Sequence, residues 1–205
     1  MNREPTQQSP GPAAGPDSID PARVRRASAV AREYDALMGL SLVVLGLGSV
    51  VAGLTGQTAV YLAIGAALSG ASASWYIKRY GRVRAGGLRN LWIFAGAMTL
   101  VVILLVAYVL DRWLQLPVLL TLLGLAASLA IGQFLMLRRT GLTPAHWCVY
   151  AALALAALAP VVGGPRGAEA LAYVLVCAGV ALIVLGLVDH RRLVQILGPA
   201  ETSRA

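Results

Sequence analysis

Five stretches of about twenty residues or more in this chain contain no Asp, Glu, Lys or Arg. They run over 36–77, 90–110, 113–137, 140–165 and 170–188. The first is broken only by Thr55-Gly56-Gln57-Thr58, a polar turn that divides it in two. A helix rises about 1.5 Å per residue, so roughly 20 residues cross the ~30 Å hydrocarbon layer of a bilayer. The pattern predicts an all-α membrane protein with six transmembrane helices arranged as three hairpins. The spans are expected near 36–54, 59–77, 91–110, 114–137, 145–162 and 169–188.

The chain has 205 residues, of which 58% are hydrophobic and 13% charged, and its mean hydropathy is +0.73. With six spans placed, no segment outside them is long enough to bury a core of its own. Any activity therefore has to sit within the helix bundle or at its edge.

A net charge of +8 could point to nucleic acid, but the cations are distributed as membrane topology requires. Arg23, Arg25, Arg26 and Arg32, the second loop with Lys78, Arg79, Arg82, Arg84 and Arg89, the pair Arg138-Arg139 and the pair Arg191-Arg192 fall on one side. Only Arg112 and Arg166 fall on the other. The positive-inside rule then puts both termini in the cytoplasm of a multi-pass protein of the cytoplasmic (inner) membrane. Short loops offer no folded aromatic platform, so nucleic acid is not an expected partner.

Residues 1–19 are rich in Pro, Gln, Ser and Gly and are expected to form a disordered cytoplasmic tail. Asp20-Pro21 reads as a cap followed by a first-turn proline, opening an interfacial amphipathic helix over 20–35. Residues 1–35 lack the apolar core of a cleavable signal peptide, and 189–205 form a second cytoplasmic tail. Cys148 and Cys177 read as small apolar residues without a disulfide.

Each hairpin ends in a basic pair: Lys78-Arg79, Arg138-Arg139 and Arg191-Arg192. Small residues recur every four positions at Ala66, Gly70 and Ser74, and again at Gly124, Ser128 and Gly132. Gly39, Gly46 and Gly53 recur every seven. Small residues let helix backbones approach where lipid supplies no hydrophobic drive for association, so all three sets are candidate contact faces.

No ionisable residue falls near the middle of any span, which disfavours ion-coupled transport. Gln133, about a turn from the inner end of the fourth span, is the costliest polar side chain to leave unpaired. It reads as an interhelical polar contact or a solute contact. Asp189, His190 and Arg191 form an inner-face cluster in which Asp189 is expected to pair with Arg191 and Arg192, and His190 to sit favourably at a helix C-terminus. His146 and Cys148, two positions apart, point to nearly opposite sides of a helix, and no metal-ligand spacing supports them. No nucleophile elbow, paired carboxylates, P-loop or dinucleotide fingerprint appears. The chain is therefore read as no enzyme, with no catalytic residues, metal or cofactor.

The densest polar-aromatic feature is Trp75-Tyr76-Ile77-Lys78-Arg79-Tyr80-Gly81-Arg82-Val83-Arg84. Trp and Tyr suit the headgroup level, and Lys78, Arg79, Tyr80, Arg82 and Arg84 make a candidate docking surface for anionic lipid or a protein partner. The Tyr-Ile-Lys-Arg-Tyr-Gly-Arg-Val segment at 76–83 and the Leu-Val-Asp-His-Arg-Arg-Leu-Val segment at 187–194 resemble those of small bacterial six-span membrane proteins of uncharacterised function. That resemblance implies the span layout and no activity. The expected function is that of a non-catalytic accessory or interaction protein, acting with a partner or as a homo-oligomer. The competing expectation is a permease, or a transporter subunit, for a small apolar solute.

Overall fold

The computed structural model describes residues 38–80, 87–137, 141–166 and 168–197. The segments read above as a tail at 1–19 and a helix at 20–35, and the loop residues Arg82 and Arg84, lie outside the described residues. The protein is all-α. Its helices are α1 (Gly39–Thr55), α2 (Thr58–Tyr80), α3 (Gly87–Leu114), α4 (Leu120–Met136), α5 (Pro144–Ala156) and α6 (Ala168–Leu197), with a 3-10 turn at Ala159–Val162. Among the described residues only Glu169–Gln195 of α6 is both long and apolar enough to cross a bilayer. The apolar helices α1, α4 and α5 have 17, 17 and 13 residues, which is short of the roughly 20 required.

Each hairpin packs internally, α1 on α2, α3 on α4 and α5 on α6, and the hairpins join through α1–α6 and α4–α5. The most extensive contact is between the first and last helices, and small residues on both explain why. A Cβ added to Gly39 would lie 1.9 Å from the Gly186 carbonyl oxygen. One on Gly46 would lie 2.5 Å from that of Gly179, and one on Gly53 2.8 Å from that of Ala172. The seven-residue glycine series of α1 thus meets a matching antiparallel series, Ala172, Gly179 and Gly186, on α6. By contrast Ala66, Gly70 and Ser74 are exposed, and a Cβ on Gly70 or Gly132 would meet nothing within 4 Å. The four-residue ladders on α2 and α4 are not the close-packed faces.

The helix boundaries depart from the expected spans where a backbone group finds a better partner. α4 begins at Leu120 instead of near residue 114, which leaves Pro117 in the preceding turn. The reason is Asp111 at the end of α3. Its Oδ1 accepts the Leu120 N–H (2.7 Å), and its Oδ2 accepts the Thr121 N–H (2.8 Å) and hydroxyl (2.6 Å). A carboxylate here satisfies N–H groups that an isolated helix start leaves orphaned, and it faces the positive end of the helix dipole. Asp111→Ala is expected to cost about 1–2 kcal/mol, the scale of a lost N-cap, read as a lower thermal midpoint in detergent.

α5 stops at Ala156 because of Pro160, whose ring would clash with the carbonyl four residues back. The Tyr173 hydroxyl on α6 donates to that freed Ala156 carbonyl (3.2 Å), and the Leu119 N–H donates to the Ala157 carbonyl (2.8 Å). The turn is held from the far side by Arg166, which donates to the Pro160 carbonyl. α6 continues to Leu197, so residues 189–197 are helical. A cluster including Leu119, Leu122, Leu153, Ala157 and Val174 fills the space between α4, α5 and α6.

Candidate functional site

The polar side chains converge at the end of the bundle where α6 carries Asp189 and His190. Asp189 and His146 are both fully buried. Thr143 precedes α5 with extended backbone, and Pro144 takes the first helical position, where its missing N–H costs nothing. His146, three residues after the cap, occupies the place of Glu or Gln in a capping box. The Thr143 backbone N–H donates to His146 Nδ1 (3.2 Å), and the Thr143 hydroxyl reaches the same nitrogen at 2.6 Å. A nitrogen that accepts a backbone N–H carries no proton of its own, so the imidazole proton sits on Nε2. That N–H donates to Asp189 Oδ1 (3.1 Å).

The second carboxyl oxygen is occupied as well. Gln133 Nε2 donates to Asp189 Oδ2 (3.3 Å), and the Tyr150 hydroxyl donates to Gln133 Oε1. The result is a directed chain from α4 and α5 onto one residue of α6: Tyr150 to Gln133 to Asp189 on one side, Thr143 to His146 to Asp189 on the other. Each residue in it has at least one hydrogen-bond partner within the chain, as burial at low dielectric favours.

His190, the next residue, faces the other half of the molecule. The Leu40 N–H in the first turn of α1 donates to the Tyr76 hydroxyl (3.3 Å), so the Tyr76 proton is directed to His190 Nδ1 (2.6 Å). Tyr76 is fully buried against Leu137 and Leu193. Adjacent positions on a helix point about 100° apart. Asp189 and His190 use that divergence to hold α4 and α5 on one side and α1 and α2 on the other.

Asp189, His190 and Arg191 therefore share a helix turn but do not share a site. Arg191 is exposed, and the expected pairing of Asp189 with Arg191 and Arg192 does not form. Two positions along a helix turn a side chain by about 200°, which carries Arg191 to the outside. Arg192 instead donates to the Gly141 carbonyl (3.0 Å). His190 lies seven residues before the helix end at Leu197, so the dipole reason for its placement is replaced by its bond to Tyr76. Gln133 is an interhelical contact. Of the expected docking residues, Lys78 is exposed on the last turn of α2, and the side chains of Arg79 and Tyr80 lie outside the described residues.

No family model, curated protein or solved structure matches this chain. Its chemistry must be read from its own residues. His146–Asp189 has the make-up of an acid–base pair, but both members are fully enclosed by protein donors and acceptors. Among the described residues no group of three His, Cys, Asp or Glu side chains is gathered as a metal site. Cys148 is exposed while His146 is buried, as their two-residue separation on α5 demands. Sequence reasoning missed Tyr76, Thr143 as a His146 partner, Tyr150 and Asp111. Only Thr143-Pro144-Ala145-His146, a capping box with His in its fourth place, carried a readable signal.

Proposed function

We propose that this chain is a multi-pass protein of the cytoplasmic membrane, with both termini inside, that works as a non-catalytic accessory or interaction protein. One observation carries the membrane reading: the polarity of the bundle is inverted relative to that of a water-soluble domain. Large apolar side chains face outward on most helices, among them Leu54 (74% exposed), Leu105 (59%), Ile131 (61%) and Leu155 (69%). The buried polar residues Ser49, Asp111, Thr121, His146 and Asp189 all face inward, each hydrogen-bonded to a neighbouring helix or turn. Contiguous exposed apolar surface of this kind is unfavourable in water, whereas lipid favours it and demands that inner polar groups pair among themselves.

The short helices fit this reading. A 17-residue helix is about 25 Å long, and a few ångströms of mismatch cost fractions of a kcal/mol each. α5 is extended through its 3-10 turn to Val162. The cation bias places the Asp189 end inside. A permease would need a passage between helices, and leucine and alanine side chains fill the space between α4, α5 and α6, which favours the accessory reading.

Two measurements test the proposal. A reporter fused after Ala205 should report a cytoplasmic location and one inserted after Gly56 an external one. An external signal at Ala205 would overturn the topology. Native mass spectrometry of gently extracted protein should show a homo-oligomer or a stoichiometric heteromeric complex, and a bare monomer across detergents would overturn the interaction role.

A further inference from the structure

The outer surface between α5 and α6 carries a groove of about 480 Å³. Ala145, Ala152 and Ala156 form its wall on α5, and Val176, Val180 and Val184 its wall on α6. The alanines are too short to reach across to the valines, and the trough they leave is apolar along its length. From Ala145 to Ala156 it runs ~16 Å, at the helical rise per residue. Its volume lies within the ~300–1,000 Å³ range of ligand sites.

A cation stands at one end of this trough. Arg191 follows Val184 by seven residues, two helical turns on the same face of α6. It is exposed, and among the described residues it has no hydrogen bond or ion pair. Helical side chains lean toward the helix N-terminus, so the stem of Arg191 leans toward the groove, whose lining on α6 ends at Val184, ~10 Å along the helix. Trp147, 56% exposed at the same end of α5, marks the level that indoles take up at the membrane interface. An apolar trough of about a membrane leaflet's depth, with a guanidinium at its interfacial end, matches an amphiphile with an anionic head. Arg pairs with phosphate through parallel N–H bonds.

We propose that the α5–α6 groove is a binding site for one acyl chain of an anionic phospholipid, whose phosphate meets the Arg191 guanidinium. This rests on the membrane reading above and adds a defined ligand to it. It is distinct from Lys78, which lies in the last turn of α2. The site also contains its own probe, because the exposed Cys148 and the half-buried Cys177 both line the groove. A seated chain covers Cys148.

The experiment uses the full chain in neutral detergent with phosphatidylglycerol or phosphatidylcholine added. Native mass spectrometry should show one phosphatidylglycerol adduct surviving activation that strips phosphatidylcholine. The same lipid should slow maleimide labelling of Cys148 in the unaltered protein. Arg191→Gln removes one charge-assisted contact and should lower the preference for the anionic lipid about tenfold. Ala152→Phe fills the trough and should abolish both the adduct and the protection. Equal retention of the two lipids by the unaltered protein would overturn the proposal, as would Cys148 labelling indifferent to phosphatidylglycerol, or an adduct that survives Ala152→Phe. A chain released from membranes by alkaline wash without detergent would instead overturn the membrane reading itself, so the two failures are separable.

Discussion

Replacing Gly46 by leucine is expected to separate α1 from α6 and to lower stability by about 3 kcal/mol or more, at the upper end of overpacking costs. Even a methyl group there would stand 2.5 Å from the Gly179 carbonyl oxygen and 2.9 Å from the Ile183 side chain. The first of these is backbone and cannot rotate away. The two helices would have to move apart, losing the approach at Gly39–Gly186 as well, and with it the Ser49 hydroxyl bond to the Leu175 carbonyl (3.2 Å). Gly70→Leu and Gly132→Leu are the matched controls, because a Cβ at either meets nothing within 4 Å. Both should leave the thermal midpoint unchanged or raise it slightly, since leucine is the better helix former. The check is thermal unfolding followed by circular dichroism in one detergent. Equal losses at all three positions would show that α1 and α6 do not approach as described.

Asp189→Ala carries the second large effect. It strips the acceptor from a buried donor, His146 Nε2, at about 1–3 kcal/mol, and from a half-buried one, Gln133 Nε2, at less. A loss of about 3 kcal/mol is expected, together with weaker attachment of α4 and α5 to α6. Asp189→Asn should cost less, for a reason specific to this network. His146 cannot reverse its polarity, because the Thr143 backbone N–H holds Nδ1 as an acceptor. The Gln133 amide can turn over, accepting from the new Asn and donating to the Tyr150 oxygen. Tyr150→Phe frees that amide from the hydroxyl that fixes its orientation, so it should make Asp189→Asn less costly than it is alone. A double-mutant cycle on thermal or denaturant midpoints measures the coupling. Additive effects would mean that Gln133 does not relay between Tyr150 and Asp189.

Much of the scaffold was legible in the uncharged runs. The six helices, their three hairpins and the seven-residue glycine series of the first helix follow from spacing alone. The register between Gly39, Gly46 and Gly53 and Ala172, Gly179 and Gly186 was not legible, because it depends on which helices become neighbours. The four-residue ladders on α2 and α4 looked equally suited to contact, and only the assembled bundle shows the first exposed and the second half-buried without a close backbone approach. Boundaries moved where a distant side chain satisfied a helix end, as Asp111 does for Leu120 and Tyr173 for Ala156. The inner cluster was read from adjacency along the chain, which grouped Asp189 with Arg191. Rotation about the helix axis separates them and brings together Gln133, His146, Tyr150 and Asp189 from three helices.

The pairing of the first helix with the last also bears on how the protein is made. Ser49 and Leu175, joined by a hydrogen bond, are 126 residues apart. Ribosomes deliver helices in order, so α1 is made with its glycine face uncovered and must wait for α6. Gln133 and His146 likewise lack their acceptor until the final helix arrives. Contacts this distant in sequence slow folding, because chain entropy is lost before they form. During that interval the nascent chain leaves a backbone groove and polar groups unpaired, which on the proposed membrane reading a membrane chaperone or another copy of α6 could engage.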